Sequence, residues 1–214
     1  MSRVGPTAPP RSVPSPGGTS PKERTSVDHL FDFGRIFLGL VFAFSVAGKV
    51  HRPAAFRAFR QSVVSLAPPL RGAATPAAAL IVVAETASAL TLALPVTAPV
   101  GFTLSVVLVT AFTAALVVAL RTKTATTCGC FGDSGSPVAP RHIARNVVLL
   151  LAAGGGLFGW AAGAAGAGRP TGSLVLVSGL AAILAIVTAT LDDIVSLFNT
   201  VPETATHPRA DAQQ

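Results

Sequence analysis

The sequence predicts an all-α, polytopic transmembrane helical bundle, and three observations predict it. Half of the 214 residues are hydrophobic and the mean hydropathy is +0.63. Only 12% of the residues are charged, against roughly 25% in a soluble globular domain. Five apolar stretches qualify or nearly qualify as bilayer-spanning helices, which need about 20 mainly apolar residues. The same figures argue against a soluble enzyme and against a disordered chain. Two cysteines are too few for a disulfide-stapled secreted module. The absence of Tyr and a single Trp argue against an aromatic-rich binding surface.

Residues 1–28 hold six prolines among Gly, Ser and Thr, a composition that builds no apolar core and reads as a disordered tail. The bundle is expected over 29–199. Its first span runs from about Leu30 to Val50, with Arg35 near its start and Lys49 near its end. A signal peptide is the rival reading of this run, with Ser45-Val46-Ala47 as a loose cleavage site, but the preceding segment is unusually long for one. Between His51 and Gly72, Phe56, Phe59, Val63 and Leu66 recur at helical spacing with Arg57 and Arg60 between them. That pattern predicts a short amphipathic helix at the interface. The second span, about Ala73 to Leu94, contains Glu85; Pro95 and Pro99 then mark a tight turn into the third, about Val100 to Leu120. The fourth, about Ile143 to Ala165, has a Gly-rich middle at 154–156, and the fifth runs from about Leu174 to Leu191. Small residues in the last two favour close helix approach. Residues 200–214 form a polar tail.

The charge is +7. In a soluble protein this suggests nucleic acid, but here no basic–aromatic stripe accompanies it, so no nucleic-acid partner is expected. The basic residues flank the apolar runs, as they do where they face lipid phosphates, and the bilayer itself is the first expected partner. Orientation is read in two ways. Omitting Arg35, a cytoplasmic N-terminus leaves five Lys and Arg inside and ten outside, so the positive-inside rule favours a cytoplasmic connection between the third and fourth spans. The basic N-terminal tail argues the opposite, because the first helix often dominates.

That connection carries the sharpest local feature, Cys128-Gly129-Cys130-Phe131-Gly132, with the only two cysteines of the chain one residue apart. Gly129 lets the backbone bend enough for the sulfurs to approach. A bond across so short a loop is strained and easily reduced, which suits a redox-active pair better than a structural staple. Arg121, Lys123, Arg141, His142 and Arg145 flank it, and nearby cations favour the nucleophilic thiolate. A soft-metal site and inert thiols are the alternatives. No metal site is expected, because a closed zinc site needs four ligands and a cluster about four cysteines. Inside the spans, Glu85 is costly to bury and must face the bundle. Arg35 is its expected partner, either as a structural pair or as a pocket handling protons or a quinone; a simply protonated Glu85 is the other reading. Lys49 is expected to snorkel to the interface. Asn146, after Arg145, is expected to hydrogen-bond across helices. Trp160 is expected to pack within its helix or to mark an interface.

The run Arg35-Ile-Phe-Leu-Gly39 through Ser45 to Gly48-Lys49 resembles the first helix of the methylamine-utilisation protein MauE family, within the wider DoxX-like membrane proteins. Phe56 to Val63 with Pro68-Pro69 is similar to that family's first loop, and Glu85 matches its second-helix glutamate. The element 128–132 followed by Arg145-Asn146-Val-Val-Leu is similar to its signature before the fourth helix, although Thr127 stands where an acidic residue is expected. The resemblance implies a four-helix core over about 31–165, leaving the span at about 174–191 as an addition. It implies a plasma-membrane protein in the redox maturation of extracytoplasmic proteins, as in processing of the disulfide-rich small subunit of methylamine dehydrogenase. It also implies an extracytoplasmic cysteine loop, and that orientation is adopted over the charge count. The leading expectation is a thiol–disulfide oxidoreductase or accessory maturation factor, exchanging through Cys128 and Cys130 with a thioredoxin-like or client protein. A small transporter or soft-metal handler, and a non-catalytic scaffold, are the alternatives.

Overall fold

The computed structural model describes residues 21–122, 140–164 and 171–198. These form α1 (Pro21–Val50), α2 (Pro53–Leu66), α3 (Ala74–Ala93), α4 (Ala98–Arg121), α5 (Pro140–Ala161) and α6 (Thr171–Phe198), with a 3-10 turn, Pro68–Ala73, between α2 and α3. Among the described residues there is no strand. Prolines sit in the first turn of α2, α4 and α5, where their missing N–H costs no hydrogen bond.

Among the described residues, five segments are long and apolar enough to cross a membrane: Thr25–Val50, Pro68–Ala93, Ala98–Arg121, His142–Ala161 and Gly172–Thr190. At 1.5 Å per residue each reaches about the 30 Å of a hydrocarbon core. Their outer faces expose Leu80, Val83, Leu90, Val107, Leu151, Phe158, Leu176 and Ile183. Apolar surface on this scale suits lipid, not water. Hydroxyls on the spans, including Thr86, Ser88, Thr91, Thr103, Ser105, Thr113 and Thr188, donate to the carbonyl one turn back. These hydroxyls are thus satisfied without water. This is a multi-pass, all-α membrane bundle.

α1 is the hub and packs against α3, α5 and α6, while α4 closes a four-helix ring by packing against α3 and α5. α6 lies outside the ring, against α1. The core joins Phe31, Phe37, Leu38, Val41 and Phe42 of α1 to Leu92, Phe102, Val109, Leu149 and Ala153. Glycine makes the closest approach possible: a methyl group added at Gly156 of α5 would lie 2.2 Å from the Phe102 ring. On α6 alanine does this work, since Ala181 and Ala185 are fully buried while nothing lies near Gly172 or Gly179.

Chain direction sorts the molecule into two ends. α1 finishes, α3 begins, α4 finishes and α5 begins at the end that carries α2. Two expectations shift. α1 starts at Pro21, so residues 21–28, expected in the disordered tail, are helical. α6 continues beyond Leu191 to Phe198. The rest of the N-terminal tail and the polar C-terminal tail lie outside the described residues.

Candidate functional site

Ser45 and Lys49 lie one turn apart on α1 and face α3. The Lys49 Nζ donates to both Glu85 oxygens at 2.6 Å and to Ser45 Oγ at 2.7 Å. Ser45 Oγ in turn donates to Glu85 Oε1 at 3.3 Å. Lys49 and Glu85 are 1% and 2% exposed, so all three ammonium hydrogens are satisfied away from solvent. The Phe59 ring of α2 lies 4.7 Å from Nζ and the Phe112 ring of α4 5.9 Å, both within cation–π range. α2 therefore roofs the pair and shuts it off from the interface.

Glu85 also borders a small, partly open chamber of about 40 Å³, lined with it by Ser45, Phe112, Arg145, Asn146, Val41, Phe42, Val109 and Leu149. Asn146 Nδ2 donates to Thr113 Oγ1 of α4 at 3.0 Å, the interhelical bond expected of it. His142, one turn earlier on α5, is 1% exposed. Glu85 and the adjacent pair Arg145-Asn146, far from it in sequence, thus share one chamber.

Two expectations are corrected. Arg35 does not pair with Glu85. Its Nη1 donates to the Ala93 carbonyl at the end of α3 at 3.0 Å, and its Nη2 lies 3.5 Å from Asp32 Oδ1. Ala93 is eight residues beyond Glu85, about 12 Å along the helix, so Arg35 serves the other end of the bundle. Lys49 does not snorkel outward, because its side chain tilts toward the N-terminus of α1, which leads into the bundle. Arg35 and Glu85 line separate spaces: Arg35 borders an open groove of about 380 Å³ with Gly39, Leu40, Ala89 and Leu92, and Glu85 borders the chamber. The chamber has room for about one water and is far smaller than the roughly 300–1,000 Å³ of small-molecule pockets. Trp160 is 44% exposed on the outer face of α5.

Cys128, Gly129, Cys130, Phe131 and Gly132 lie outside the described residues. The helix ends that flank them, Arg121 of α4 and Pro140 of α5, belong to the same end of the bundle as α2 and Lys49. Among the described residues no three His, Cys, Asp or Glu side chains gather as a metal site. Sequence reasoning passed over Ser45, Phe112 and Thr113 as site residues; the spacing of Ser45 and Lys49, i and i+4, was the available signal.

A search of curated proteins and one of solved structures return no match. The family model described as methylamine utilisation protein MauE matches residues 27–159, from α1 through most of α5. That match takes in the Lys49–Glu85 pair, the chamber, both cysteines and all four helices of the ring, and leaves α6 outside. The chain therefore belongs to the MauE family of methylamine-utilisation membrane proteins.

Proposed function

We propose that this protein is a plasma-membrane thiol–disulfide exchange factor for the maturation of extracytoplasmic proteins, with Cys128 and Cys130 as the exchanging pair. The observation that carries the reading is the Cys128-Gly-Cys130-Phe-Gly132 element, holding the only two cysteines, in a chain of the MauE family. Basic residues on both sides, Arg121 and Lys123 before and Arg141 and Arg145 after, favour the thiolate.

The exchange balances with a second protein disulfide as the oxidant that restores the pair. A thiolate of the client or thioredoxin-like partner attacks one sulfur of the Cys128–Cys130 disulfide. The S–S bond breaks, a mixed disulfide forms, and the leaving thiolate takes a proton. The partner's second thiol, deprotonated, displaces the bound cysteine. The partner leaves as a disulfide and the pair remains as two thiols, with two electrons and two protons transferred. The reverse sequence restores the pair at the expense of another protein disulfide. The chain's buried polar groups serve as scaffold in this reading: Lys49–Glu85 locks α1 to α3, and Asn146–Thr113 locks α5 to α4, beside the helix ends that hold the cysteine segment.

A cation path along Glu85 is less well supported, because the Lys49 ammonium already occupies both carboxylate oxygens. The test is client oxidation in cells carrying Cys128→Ser, Cys130→Ser or both. Each variant is expected to lose client disulfides while remaining in the membrane. Undiminished oxidation in the double variant would sink the proposal.

A further inference from the structure

The described structure has a second polar feature, distinct from the Glu85 chamber. An open cleft of about 440 Å³ lies between α2, the 3-10 turn and the first turn of α3, lined by Arg60, Gln61, Val64, Ser65, Arg71, Gly72, Ala74 and Thr75. Two guanidinium groups, an amide and two hydroxyls therefore converge on one space. Arg60 is steadied across it by a 3.4 Å hydrogen bond from Nη1 to Thr75 Oγ1. The sequence contains no Asp or Glu between Val50 and Ala84, while Arg52, Arg57, Arg60 and Arg71 all fall in that stretch. The carboxylate nearest in sequence, Glu85, is buried and committed to Lys49. Among the described residues that line it, the cleft has two arginines and no carboxylate.

Its position selects the anion. α2 buries Ala55, Phe59 and Val63 against the bundle at the end where α1 finishes and the α3 span begins, which is headgroup depth. Directly beyond Thr75, one to two turns deeper into the bilayer, α3 exposes Ala79, Leu80 and Val83, with Leu80 68% and Val83 63% exposed. A cationic polar cleft set above bare apolar helix surface matches an amphiphile, with phosphate in the cleft and acyl chains along α3. We infer that the cleft between α2 and the start of α3 binds the phosphate headgroup of an anionic phospholipid, with Arg60 and Arg71 as its charge partners. This inference does not depend on the cysteine chemistry.

The test uses the full-length protein in nanodiscs of phosphatidylglycerol or phosphatidylcholine, with retained lipid read by native mass spectrometry. Wild type is expected to retain phosphatidylglycerol in preference to phosphatidylcholine. Each neutralised arginine is expected to weaken retention about fivefold, and Arg60→Gln with Arg71→Gln about 25-fold. Arg121→Gln, an exposed arginine at the same end, is the control for bulk charge and should change retention little. Ser65→Trp fills the cleft from an exposed position without altering charge and should also release the lipid, so a folding defect in the double arginine variant leaves the inference testable. Equal retention of the two lipids, or unchanged retention in Ser65→Trp, would overturn it. Soluble glycerol phosphate displacing the lipid at equal concentration would overturn the assignment to a lipid headgroup.

Discussion

Lys49 stands one residue from the end of α1, yet its ammonium is buried against Glu85, Ser45 and two aromatic rings. Removing one partner of such a pair leaves a naked charge in low dielectric, at a cost of about 3–5 kcal/mol, whereas replacing both by apolar groups is often neutral or better. Lys49→Met is therefore expected to lower thermal stability in detergent sharply, and Lys49→Met with Glu85→Met to recover most of the loss. A thermal-unfolding double-mutant cycle checks this; additive losses would show that the pair is not coupled. The cost of burying Glu85 was legible in the sequence, and so was the need for a basic partner. Which partner it took was not. Arg35 and Lys49 stand near opposite ends of one apolar run, and the choice between them depends on the register of α1 against α3 and on the inward tilt of Lys49, both three-dimensional facts.

At the scale of elements, periodicity carried most of the information. The spacing of Phe56, Phe59 and Val63 predicted α2, and Phe59 and Val63 are buried on its inner face. What the pattern did not reveal was that Phe59 also covers Lys49, because aromatic residues on an amphipathic helix do not disclose what lies beneath. The five spans follow from apolar run length, while the early start of α1 at Pro21 runs against composition, since the preceding proline-rich stretch masks a helix-compatible Lys22–Asp28 segment. Glycine was a partial guide. Gly156 seats Phe102, so Gly156→Val is expected to force that ring aside and cost about 1–3 kcal/mol. Gly179 of α6 faces open space, so Gly179→Ala should be neutral or slightly stabilising. Thermal unfolding of both variants distinguishes them, and equal losses would contradict the packing described for α5 and α6.

At the scale of the whole molecule, a ring of α1, α3, α4 and α5 gathers α2, the Lys49–Glu85 pair, the arginine-lined cleft and the two helix ends flanking the cysteines at one end. The four-helix ring and the additional α6 correspond to the core and fifth span read from the sequence. The charge count and the family resemblance point to opposite orientations: setting aside Lys49, neutralised inside the bundle, and Arg60, held against Thr75, still leaves eight Lys and Arg outside against five inside for a cytoplasmic N-terminus. The proposed chemistry requires this end to face the oxidising side of the plasma membrane. The most direct measurement is labelling of Cys128 and Cys130 in intact cells with a membrane-impermeant thiol reagent, before and after reduction. The account predicts little labelling before reduction and strong labelling after it, from outside, as an oxidised extracytoplasmic pair requires. Thiols that resist the impermeant reagent in both conditions but react once the cells are permeabilised would place a reduced pair in the cytoplasm and contradict it.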